Sequence, residues 1–232
     1  MPGQAWRVSL GASPQMAAAL AGKEARCPYT FRRLRRLADS SHGRASAQQR
    51  NDMTSESASQ SISPGRADDV PPSWDERTVL TTFLDYARDT VHAKCAGLSD
   101  ADARRAPLPG SPLMTISGLV SHLRWVESSW IEVRMLGGVI DAPWTDDDPD
   151  REFRIAVEVP LVQLLAEYRA ACARHRDLVA SLDLDTPSRG DLGWRTEPVT
   201  LRWILFHLTE ETARHNGHID ILRELADGTR GM

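Results

Sequence analysis

Apolar side chains return every three to four positions in four long stretches, all beyond residue 72, and this spacing predicts helices rather than strands. The first, about 75–96, carries Val79, Phe83, Tyr86, Ala87, Thr90 and Val91 and stops near Gly97. The second, about 115–136, follows an N-capping Thr115, repeats Ile116, Leu119, Leu123, Val126, Trp130 and Val133, and ends at Gly137-Gly138. In the third, about 158–182, Leu161, Leu164, Leu165, Tyr168, Cys172, His175, Val179 and Leu182 share one face, which makes Cys172 and His175 core or boundary residues rather than ligands. The fourth starts behind Thr200 as cap and runs to about Ala226, where Asp227-Gly228 stops it. Four such helices without a convincing strand specify an all-α chain folded as a four-helix bundle.

The stripe on the fourth helix is not uniformly apolar. Helical periodicity aligns Ile204, Leu208, Glu211, His215 and Leu222, with Arg202, Thr209, Ala213 and Asp220 opposite. A carboxylate facing a core needs compensation, because an unpaired buried charge costs several kcal/mol. Glu211 and His215, four apart, can share one ion, and a bundle draws further ligands from a facing helix, where His122 lies beside Leu119 and Val126. The same pattern also suits a buried hydrogen-bonded pair. If His122, Glu211 and His215 do hold an ion, three protein ligands leave coordination positions for substrate, and mixed nitrogen and oxygen donors suit zinc foremost, with nickel, iron or manganese as alternatives. His207 is two turns from His215, too far to share one ion, and is read as supporting or unrelated; His218, one turn on from His215, is a boundary histidine or a pocket residue, and Trp194 a pocket residue only. Glu127 and Arg124 are expected to face solvent or neighbouring polar groups.

Charge divides the chain. Residues 1–66 carry a net +6 and residues 67–232 a net −10. The stretch from Ser40 to Pro72 is rich in Ser, Gln, Gly and Pro, so residues 1–72 are expected to be a disordered, basic then Ser/Pro-rich leader before a bundle over 73–232. An acidic bundle argues against nucleic-acid binding, which only the leader has the charge to support. Three widely spaced cysteines, Cys27, Cys95 and Cys172, fit a reducing compartment, and no apolar run is long enough for a bilayer, so a soluble cytoplasmic protein is expected. The acidic loop from Asp141 to Asp150 lacks the glycine and final glutamate of a calcium hand. The 183–198 connection is expected to be a crossover or a lid.

The segment Glu211-Thr-Ala-Arg-His-Asn-Gly-His218, with Leu222-Arg-Glu-Leu225, Asp227-Gly228, Ser121-His-Leu-Arg-Trp-Val-Glu127 and Leu80-Thr-Thr-Phe-Leu84, resembles the mini-circle-protein branch of the DinB-like superfamily over roughly 72–231. That superfamily is similar to bacillithiol- and mycothiol-dependent transferases, including maleylpyruvate isomerase. The resemblance implies a four-helix bundle with a divalent metal bound by a histidine of the second helix and a pair four apart on the last, here His122, Glu211 and His215. Many relatives have histidine where this chain has Glu211, whereas mycothiol-dependent members resemble it. The implied activity is transfer of a low-molecular-weight thiol, as cosubstrate, to a small electrophile. The competing expectation is a non-catalytic, stress-associated bundle that the ion stabilises. A bundle of this size is also compatible with a homodimer.

Overall fold

The computed structural model describes residues 66–230, and the expectations for the leader up to residue 65, Cys27 included, lie outside the described residues. Four long helices form where the periodicity predicts them: α1 Glu76–Cys95, α3 Ile116–Ser128, α5 Leu161–Val179 and α6 Leu201–Asp227. Two short helices, α2 Asp100–Ala103 and α4 Arg151–Ala156, fall in the connections, and no strand forms among the described residues. Local signals set the ends. Asp75, Thr115 and Thr200 each accept a backbone N–H of the first turn, and Gly228 terminates α6 at φ 81°, a left-handed conformation that glycine adopts without strain.

Helix α1 packs along α6, and α3 packs against α5 with α4 laid over it. The apolar core has two parts. One gathers Val91, Leu119, Leu123, Leu164, Tyr168, Ile219 and Leu222; the other gathers Leu84, Trp130, Ile131, Met135, Ile204, Leu205 and Leu208. Among the buried polar side chains is Glu127, only 2% exposed, so that of its two expected settings, solvent or neighbouring polar groups, it takes the second. The fork of Arg88 grips it, with Nε at 3.1 Å, and His175 Nδ1 lies 2.9 Å away. Arg88 also reaches Asp85 at 2.7 Å, and His175 Nε2 lies 2.9 Å from Glu132. Both neighbours offset the desolvation of the carboxylate. Cys172 and His175 are buried, as their place on the α5 stripe predicts, and Arg124 is half-buried against Glu167.

The second predicted helix does not stay α-helical. It passes at Ser129 into a π-helix, Ser129–Met135, with Leu136 N–H donating to Ile131 O at 3.1 Å, five residues back. The wider turn shifts the phase of every side chain after it. Val133, expected inward, is therefore half-buried, while Arg134 and Met135 are buried. Phe83 is likewise 42% exposed.

The 183–198 connection folds back on the start of α6, through Ser188 N–H to Val199 O at 2.7 Å and Leu201 N–H to Thr186 O at 3.0 Å. Its middle is pinned to the π-helix by Arg189 and Gly190, whose N–H groups donate to Arg134 O at 3.2 and 2.8 Å. It covers one end of the bundle, its own Leu192 buried in the core with Trp130 and Met135. No helix among the described residues is long and apolar enough to cross a membrane.

Candidate metal centre

Glu211 sits two turns before Ile219 on the inward face of α6, where Ile204, Leu208, Ile219 and Leu222 are fully buried, and it is itself 8% exposed. One turn on, His215 brings Nε2 to 3.5 Å from Glu211 Oε1. From α3, His122 Nε2 approaches the same oxygen at 3.9 Å. One donor atom from each of the three lies within 4.8 Å of the other two, and no further His, Cys, Asp or Glu among the described residues joins that group. None comes from the acidic loop, where Asp148 instead engages Arg154.

The remaining ring nitrogens are held as well. His122 Nδ1 lies 2.6 Å from Glu152 Oε1, and His215 Nδ1 lies 3.2 Å from His218 Nδ1. Phe153 stacks on the His122 ring at 4.9 Å. Short helix α4 supplies both Glu152 and Phe153, while Ser121 Oγ donates to Glu152 O at 2.9 Å and ties α4 to α3. Glu152 is the residue that sequence reasoning missed. The available signal was the apolar pair Phe153 and Ala156 behind Asp150, a single helical turn inside a segment otherwise read as loop.

Burial and charge compete across this group. Burial opposes protonation of His122, but hydrogen bonds and charge from Glu152 and Glu211 outweigh it and raise its pKa to about 9. Burial would raise the Glu211 carboxyl, yet His122, His215 and Arg214 hold it well below the usual carboxylate range. His215 and His218 are both lowered by burial, His215 also by the charge of His122. A carboxylate kept ionised beside two imidazoles is a donor set of the kind that takes a divalent cation, which would displace the proton that His122 otherwise holds.

Of the other expected pocket residues, His207 lies one turn before Glu211 but turns toward aromatics. It stacks on Trp203 at 5.0 Å and meets Trp130 edge-on at 4.6 Å. Trp194 reaches this wall only at its rim, 6.4 Å from Trp203 and 41% exposed. His218 is the one that touches a proposed ligand.

The family described as mycothiol-S-transferase matches residues 79–228. A crystal structure of a conserved protein from Enterococcus faecalis superposes with a TM-score of 0.54 at 18% identity, covering 68% of this chain and 100% of that one, a likeness of fold alone. No curated protein matches.

Proposed function

Because the chain belongs to the mycothiol-S-transferase family, a DinB-like family, we propose that it is a divalent-metal-dependent transferase joining the sulfur of a low-molecular-weight thiol, mycothiol or a close analogue, to a small electrophile. The observation that carries this reading is the convergence of His122, Glu211 and His215 donor atoms from two helices. Their mixed nitrogen and oxygen chemistry fits zinc first, then nickel, iron or manganese. Bound there, a divalent ion supplies a Lewis acid that lowers the pKa of a nearby thiol.

The chain's own residues do the rest. Glu152 and His218 fix the two rings so that the Nε2 atoms face Glu211. Three protein donors leave room for substrate, which separates this reading from a purely structural ion with a closed protein shell. Trp130, Trp203 and His207 form an apolar flank beside Glu211 for the carbon skeleton of the electrophile.

Elemental analysis of the purified protein beside His122→Ala, Glu211→Ala and His215→Ala tests the ligand set, with stoichiometric metal expected only in the wild type. Thiol consumption with mycothiol and a model electrophile tests the reaction. A triple variant that keeps its metal would remove the site, and a metal-replete protein inert towards every thiol would remove the activity.

A further inference from the structure

Among the described residues, Arg134 is the one buried ionic side chain with no opposite charge within ion-pair distance. It is 5% exposed. Arg88, Arg223, Glu127, Glu152, His175 and Glu211, the other buried ionisable groups of this kind, all have such a partner. Arg134 Nη1 reaches only the neutral hydroxyl and carbonyl of Ser129, and its Nε is buried with no hydrogen-bond partner at all. A guanidinium taken out of water and left with an unused donor is unfavourable unless an anion meets it.

The surroundings give that anion a direction. The guanidinium carbon lies 4.8 Å from the centroid of the Trp130 ring. Trp130 meets His207, and His207 stacks on Trp203, so an aromatic wall runs from Arg134 to the turn of α6 that carries Glu211. Arg134 lies on the π-helix, and π-turns concentrate at functional sites. The loop 188–192 clamps it there. A Cβ at Gly190 would collide with Val133 O, so only glycine allows this approach. Asp191, on the same loop, is felt by the guanidinium but lies beyond ion-pair distance, its Oδ1 accepting Gly193 N–H at 2.7 Å.

We infer that Arg134 anchors a carboxylate on the electrophilic cosubstrate, whose carbon skeleton lies along Trp130, His207 and Trp203 with its reactive carbon toward Glu211. The cosubstrate role rests on the transferase reading; the anion site does not. One guanidinium edge beside the neutral hydroxyl of Ser129, with the charge of Asp191 nearby to disfavour a doubly charged anion, matches a carboxylate, which needs two parallel donors, better than a phosphate dianion.

The test is a titration of the full-length, metal-loaded protein with benzoate, benzamide and inorganic phosphate, followed by tryptophan emission. Saturable benzoate binding is expected, with benzamide and phosphate at least tenfold weaker. Arg134→Gln should weaken benzoate at least tenfold, Asp191→Asn should tighten it, and His215→Ala should leave it unchanged, since a carboxylate bound to the metal would be lost in that variant. Should Arg134→Gln fail to fold, Arg134→Lys, which keeps the charge but lacks Nε, should weaken benzoate several-fold. The anchor is overturned by absent benzoate binding, by equal affinity for benzamide, by preference for phosphate, by undiminished binding in the Arg134 variants or by loss in His215→Ala. Benzoate binding through Arg134 without any thiol consumption would instead sink the transferase reading and leave the anchor standing.

Discussion

Nδ1 of His122 lies 2.6 Å from a carboxylate oxygen of Glu152, thirty positions later in the chain, and this contact turns the opposite ring nitrogen toward Glu211 and His215. A short helix that contributes no proposed ligand therefore orients one. Substitutions of this kind of supporting carboxylate typically weaken metal affinity by about 10–100-fold. Glu152→Ala should do so here while preserving the helical fold, because the Ser121 contact to its backbone carbonyl survives. Competition against a chelator of known affinity reads this directly, and unchanged affinity would deny Glu152 its orienting role.

Glu127 should matter for stability rather than for metal content. Glu127→Ala leaves Arg88 with Asp85 alone and His175 with Glu132 alone, and breaking a buried pair from one side costs about 3–5 kcal/mol. Arg88→Met combined with Glu127→Leu should recover most of that loss, since no charge of the pair is left behind. Urea unfolding of wild type and both variants, with metal content measured alongside, separates this from an effect on the site.

Acid should destabilise the fold in two successive windows. Burial, with the charge of Arg169, lowers His92 to about 4, and Arg88 and His175 overcome burial to hold Glu127 at about 2. Both are depressed in the folded state, so in each case the unfolded chain binds more protons and stability rises with pH. The His92 contribution is present above about pH 6.5 and is lost as pH falls toward 4; that of Glu127 is present above about 4.5 and is lost toward 2. Across pH 4–7 the melting temperature of wild type should fall relative to that of His92→Gln as the pH drops, because glutamine takes no proton in either state, and parallel curves would contradict the assignment.

Two glycine substitutions should have opposite signs. Gly190→Ala forces a methyl into Val133 O and the Arg134 backbone, an overpacking expected to cost about 1–3 kcal/mol and to loosen loop 188–192 from the π-helix. Gly217→Ala meets nothing within 4 Å in the middle of α6 and should stabilise by about 0.5–1 kcal/mol through helix propensity. Thermal unfolding and protease sensitivity of the loop decide both.

Local order was legible without any tertiary information. The caps Thr115 and Thr200 and the stop at Gly228 act on backbone groups within a turn, so they read directly from neighbouring residues. The α6 stripe placed Glu211 and His215 on one inward face for the same reason: helical phase is fixed by spacing along one element. Its extension to α3 selected His122, which the fold brings beside them.

Phase and partner choice beyond single elements were decided by the tertiary structure alone. The π-turn at Ser129, onto which the loop carrying Gly190 packs, moved Val133 off the inward face and brought Met135 onto it, which an unbroken 3.6-residue repeat does not predict. Glu127 was expected to face solvent or neighbouring polar groups, and α1 and α5 decided between them by bringing Arg88 and His175 to it. Glu152 was one acid among many in a loop until α4 docked on α3 and met His122. For Glu127 and Glu152 the sequence determined which groups carry charge, whereas the compensating group arrives from a distant element, and only packing in three dimensions chooses it.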